Sequence, residues 1–69
     1  MKIQYDSDID ALSIRFIETT VTTQHLTDGI ALDYDADGHL AGIEILDAQK
    51  KLGSKQIFKK IELENFGII

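Results

Sequence analysis

The chain has 69 residues, no cysteine and no proline, and a formal net charge of −5. That length makes one domain with a thin core, hiding only about 60% of the surface its unfolded form exposes. The missing cysteines exclude disulfides and any Cys-based zinc site, and the acidic balance argues against DNA or RNA as a direct ligand.

The charge is unevenly spread. Residues 1–49 carry ten acids against Lys2 and Arg15, a balance of −8, whereas residues 50–69 carry five lysines against Glu62 and Glu64, a balance of +3. A basic tail on an acidic body either folds back on a sheet or meets an acidic partner, and an ordinary solvated lysine face is the plainer reading. The longest purely apolar runs are two or three residues, far short of a membrane span. Met1-Lys2-Ile3 leads into alternating sequence and not into a signal peptide. The expectation is a cytoplasmic protein of one domain over 1–69, with a sheet core at 1–50 and a helical or extended tail at 51–69.

Residues 3–5 and 11–17 read as strands, with Ile3 and Tyr5 on one parity and Leu12, Ile14 and Phe16 alternating with Ser13 and Arg15. Asp6-Ser7-Asp8-Ile9-Asp10 between them is turn chemistry, because Asp and Ser oxygens accept from nearby backbone N–H groups. So short a loop implies an antiparallel hairpin, with Asp10 placed to bond backbone N–H groups and hold its register. Residues 19–26, TTVTTQHL, are rich in β-branched side chains and poor in large apolar ones, which suits an edge strand. Asp28-Gly29 is a turn dipeptide. Ile30, Leu32 and Tyr34 then alternate with Ala31 and Asp33, and 40–46 supplies the partner of a second hairpin, 30–34/40–46. Ile43 and Ile45 share a face, but Leu40 has the opposite parity, so a bulge at Ala41-Gly42 is expected to restore the phase.

Past Leu46 the period turns helical. Asp47 is placed to cap a turn that Gly53 ends, and Ser54 a helix over about 54–61 carrying Ile57, Phe58 and Ile61. An extended end follows, where a last strand toward Ile68 competes. The expected fold class is α+β, mainly antiparallel β: a meander of about four to five strands with a short C-terminal helix.

The segment 33–44, DYDADGHLAGIE, matches a calcium loop, with Asp33, Asp35, Asp37, Gly38 and Glu44 at the ligand and turn positions. An EF-hand needs helices on both sides, and here both flanks alternate as strands. A type I turn at Asp35-Ala36-Asp37-Gly38 explains the same residues. Glu44 then lies down the second strand, out of reach of the turn carboxylates, and Asp33 and Asp35 merely share a strand face. The expectation is no metal site; a weak cation site in the Asp33–Asp37 turn is the alternative. Asp6, Asp8 and Asp10 form a second acidic run, read as turn and cap residues and not as a paired acid and base. Nothing in the spacing of His25 and His39 requires a shared metal centre. No nucleophile signature and no phosphate loop is present, so no catalytic or cofactor-binding residue is expected.

Tyr5-Asp6, Asp10-Ala11-Leu12, Ile14, Asp28-Gly29-Ile30, Asp33-Tyr34-Asp35, Gly38 and Gly42-Ile43-Glu44-Ile45-Leu46-Asp47-Ala48 resemble a family of small bacterial and archaeal domains of unknown function. The resemblance covers about residues 1–50 and leaves out 54–69. It implies a compact β-rich domain with a helix or short tail, and no established activity or catalytic residues. By gene neighbourhood with small toxin-like proteins it also implies an antitoxin-like or other binding role.

The function expected from these readings is a non-enzymatic module that self-associates or binds another small protein, without nucleic acid, membrane or small-molecule substrate. Ile57, Phe58, Ile61, Leu63 and Phe66 would supply apolar contacts, and the surrounding lysines, Lys50, Lys51, Lys55, Lys59 and Lys60, would favour an acidic counterpart.

Overall fold

The structure is a computed structural model that describes residues 1–64, apart from the side chain of Lys55. Alternating sequence yields five strands: β1 (Lys2–Asp6), β2 (Ala11–Arg15), β3 (Thr22–His25), β4 (Ile30–Tyr34) and β5 (Leu40–Ile45). They form one antiparallel sheet in the order β1-β2-β5-β4-β3, followed by a short helix α1 (Ala48–Leu52) and a 3-10 turn, Lys55–Lys59. The expected α+β class, dominated by antiparallel strands, is what the chain adopts. The expected meander is interrupted once. After β2 the chain crosses to the far edge, and β2 pairs with β5 instead of β3.

Both hairpins form, with shifted ends. The first is 2–6/11–15, because the Phe16 and Ile17 N–H groups leave the ladder and both donate to the Ala41 carbonyl, at 2.7 and 3.3 Å. The second pairs 30–34 with 40–45 and carries the expected bulge: Asp33 opposes Gly42 and Tyr34 opposes Leu40, leaving Ala41 as the extra residue. Leu40 thereby joins the face of Tyr34. Gly42 is required here for space, since a Cβ would lie 3.0 Å from the Ile14 carbonyl oxygen and 3.3 Å from Asp33 Oδ2.

Directly opposed residues share a face. Ile3, Tyr5, Leu12, Ile14, Ile43, Ile45, Ile30, Leu32 and Tyr34 therefore line one side of the sheet. Gln4, Ser13, Arg15, Glu44, Ala31, Asp33, Thr23 and His25 line the other. Against the apolar side, at its β1 end only, lies the C-terminal segment, with the rings of Tyr5 and Phe58 stacked at 4.3 Å.

The segment after β5 departs from its expected form in two ways. Asp47 stands at the N-cap position of α1 but is left-handed, and its side chain makes no capping bond. Asp10, in the β1–β2 turn, does that work from 39 residues away: its carboxylate accepts from the Gln49 N–H at 3.0 and 3.2 Å. Its carbonyl accepts from the Ala48 N–H at 2.9 Å. Tyr5 donates its hydroxyl to the same carboxylate at 2.6 Å and accepts from the Gln49 side chain at 2.8 Å. So Asp10 does bond backbone N–H groups, but those of α1 and not those of its own hairpin. The helix expected over 54–61 is instead the 3-10 turn, with Ser54 accepting from the Gln56 N–H at 3.0 Å, and residues 61–64 are neither helix nor strand. The expected Phe66 contact and the ending toward Ile68 lie outside the described residues.

Removing the Asp10 carboxylate leaves the α1 N-terminus and the Tyr5 hydroxyl without their acceptor, at a position with φ +51° that disfavours a Cβ lacking a polar partner. Asp10→Ala should destabilise the fold by about 2 kcal/mol in urea unfolding, and Asp10→Asn by less than half of that. A loss in Asp10→Ala below about 0.5 kcal/mol would remove this residue from its place as the link between sheet and helix.

Candidate functional site

Three places on the fold gather functional groups: the apolar face, the polar face, and the β4–β5 turn.

On the apolar face, Ile3, Tyr5 and Leu12 from the sheet and Leu52, Ile57, Phe58 and Ile61 from the C-terminal segment enclose an open groove of about 310 Å³. Of the side chains expected to give buried contacts, only Phe58 is half-buried; Ile57, Ile61 and Leu63 are exposed. Beyond the groove, toward β5, β4 and β3, the apolar side chains have no second layer over them among the described residues. Among the described residues the buried apolar ones are all alanines, Ala31, Ala41 and Ala48, and no large side chain is fully buried.

The polar face is built in rows by the strand register. One row runs Arg15, Gly42, Asp33, Thr23, and the next Ser13, Glu44, Ala31, His25. The small residues Gly42 and Ala31 let the acids lie flat on the sheet. Asp33 is only 2% exposed and accepts from the Thr23 hydroxyl at 2.6 Å. Glu44, a diagonal neighbour, is held above its ordinary value. Its bond to Asp33 requires a proton, and burial and the Asp33 charge act in the same sense, outweighing Arg15 and His25. Glu44 thus stays away from the turn, as expected, yet it meets Asp33, which reasoning from loop spacing missed. The signal was available: with β4 and β5 in register, 33 and 44 fall on one face two residues apart.

In the turn, the Gly38 N–H donates to the Asp35 carbonyl at 3.1 Å, and Gly38 takes the left-handed conformation (φ +84°) that returns the chain to β5. Asp35 Oδ1 accepts from the Asp37 and His39 N–H groups at 2.9 and 2.8 Å. The His39 bond is the main reason its carboxyl lies below the ordinary value. Asp35, Asp37 and His39 each bring one ligand atom within 4.8 Å of the others. The calcium-loop residues are therefore split. Asp33 and Glu44 lie on the strand face, Asp35 and Asp37 in the turn, and strands flank both sides. Asp35 serves the turn's own backbone, so these groups close a hairpin. His39 joins this cluster while His25 lies on the polar face, so the two histidines share no site.

The first acidic run also disperses. Asp6 accepts from the Asp8 N–H at 2.9 Å and borders a small polar groove with Gln4, Ser13 and Glu44, whereas Asp10 is turned to α1. Its bond from Tyr5 is the main reason that phenol is raised above its ordinary value.

With this geometry in hand, residues 2–49 match the family described as "Protein of unknown function (DUF2283)". The chain belongs to the DUF2283 family. No curated protein and no solved structure matches it. The matched segment holds the five strands and ends within α1 at Gln49, whose N–H donates to the Asp10 carboxylate. Among the described residues no helix is long and apolar enough to cross a membrane.

Two outcomes follow from these sites. Glu44 has a folded value above its unfolded one, so its stabilising contribution is complete below the ordinary carboxylate range and is lost as pH rises through the raised value. Glu44→Gln keeps a donor for Asp33 without the charge. It should melt roughly 2–4 °C higher than the parent at pH 7, the two converging at acid pH, as thermal melts across the range would show. In the turn, millimolar terbium should give no luminescence sensitised by Tyr34. Saturable emission abolished by Asp37→Asn would instead make the turn a cation site.

Proposed function

We propose that this DUF2283 protein is a non-catalytic binding module that engages another polypeptide through the apolar face of its sheet. The observation that carries the reading is that an aligned apolar face belongs to a chain in which no large side chain is fully buried. Stable domains pack at least two layers around such a face, and the C-terminal segment supplies a second layer only at the β1 end. The exposed surface supports the same conclusion. A compact monomer of 7.7 kDa should expose about 4,300 Å², whereas this chain exposes 5547 Å², a surplus to which the C-terminal segment, with Ile57, Ile61 and Leu63 exposed, also contributes. Its radius of gyration is 13.2 Å, against about 11 Å for a compact domain of this length.

The lack of cysteine fits a reducing compartment, and we place the protein in the cytoplasm on that ground. An antitoxin-like role is the form this reading takes if the partner is a different small protein. A second reading, weak cation binding at the turn, draws on the proximity of Asp35, Asp37 and His39. It is the lesser one because the Asp35 carboxylate already serves the backbone.

A photo-activated benzoylphenylalanine at position 43, on the apolar face, should cross-link in cells to a second polypeptide identifiable by mass. The same probe at position 13, on the polar face, should not. Equal labelling from both positions, or no second chain from position 43, would overturn the proposal.

A further inference from the structure

We infer that residues 54–61 form a displaceable strap over the β1 end of the apolar face, which swings away about Gly53 and yields Ile3, Tyr5 and Leu12 to the polypeptide that docks there. The inference rests on the binding reading above and adds the regulation of that site.

Polar anchoring of the C-terminal segment stops at Lys51. Up to that point α1 is tied to the body. Ala48 and Gln49 donate their N–H groups to Asp10, the Gln49 side chain donates to the Tyr5 hydroxyl, and Lys51 donates to the Leu46 carbonyl. Past Gly53, among the described residues, hydrogen bonds and ion pairs stay within the segment: the Gln56 N–H donates to Ser54, and Lys60 pairs with Glu62. Between the two parts, Gly53 is left-handed at φ +90°, and a Cβ placed there would meet nothing within 4 Å. The chain turns in open space, the setting of a hinge.

What holds the strap down is apolar and incomplete. Phe58 stacks on Tyr5 at 4.3 Å, yet Ile57 and Ile61 remain 45% and 61% exposed around an open groove of about 310 Å³. A 3-10 turn of five residues adds little of its own, because its hydrogen-bond geometry is poor. An element held in this way opens locally, with the open form at roughly 0.1–10% of the chains.

The floor beneath does not depend on the strap. The Tyr5 hydroxyl is fixed by Asp10 at 2.6 Å and by Gln49 at 2.8 Å, so the ring keeps its place when Phe58 leaves. Ile3, Tyr5 and Leu12 continue the face of Ile14, Ile43 and Leu32. A polypeptide docked on the open part therefore meets the strap at its margin and gains the residues under it by displacing it.

In the purified full chain, relaxation dispersion should show microsecond-to-millisecond exchange at amides 54–61 and at the Tyr5 ring, with amides 48–51 quiet. Phe58→Ala should shift the 54–61 signals to their open positions. It should also raise the yield of polypeptide cross-linked from position 43 in cells roughly tenfold, since apparent affinity follows the share of open chains. Gln56→Ala, an exposed change on the same turn, should alter neither. Amides 54–61 as quiet as those of the sheet overturn the inference, as does a free chain without Tyr5–Phe58 ring contact. An unchanged yield in Phe58→Ala, with the cross-linked polypeptide still present, overturns it while the binding reading survives. No cross-linked polypeptide from either form removes both.

Discussion

A sheet one layer thick has two faces and must find something for each. Everything in this protein follows from how unequally it does so. The pairing of β2 with β5 joins the two hairpins and brings the apolar parity of β1, β2, β4 and β5 to the same side. Isoleucine and leucine along four strands would make a good core if opposed. Among the described residues they are opposed at one margin, where Phe58 lies on Tyr5 and Leu52, Ile57 and Ile61 line a groove with Ile3 and Leu12. Burying apolar surface is the main favourable contribution to folding. A chain of this length that leaves such a face half-open therefore gains more from a covering chain than a larger domain would.

The other face is closed by polar means. Asp33 is buried without a cationic partner, and it is tolerated because Thr23 donates to one oxygen while Gly42 leaves room for the other. The proton on Glu44 supplies a further donor when present. A face whose central residues are glycine, alanine and mutually bonded acids offers little apolar area and a repulsive field to another acidic surface. The polar side thus offers little to an apolar or acidic surface.

The strands were legible from the sequence because period-two alternation survives in all of them but the β-branched edge, and even the bulge could be placed from the parity of Leu40. Strand order was not legible. Whether β2 meets β3 or β5 depends on which pairing extends the apolar face, and local sequence does not encode that. Asp47 misled for a related reason: it has the right chemistry for a cap, but Asp10 reaches the same N–H group through space. The calcium-like pattern shows the limit most clearly. Its spacing is reproduced by a turn that needs Asp35 and Gly38, and by a strand face that happens to carry Asp33 and Glu44.

The tail links these observations. The family match stops at Gln49, within the helix that Asp10 caps, and the lysines and apolar residues that follow lie beyond the matched segment. The 3-10 turn at Lys55–Lys59 lies against the β1 end of the apolar face and lines the open groove there with Ile57 and Phe58. A segment that merely completed the core would be expected to bury Ile57 and Ile61, yet both stay exposed at the rim. They lie in a segment whose charge balance is +3, the setting that the proposed binding role would use. The DUF2283 segment thus carries the apolar face, and the residues after it cover that face at the β1 end.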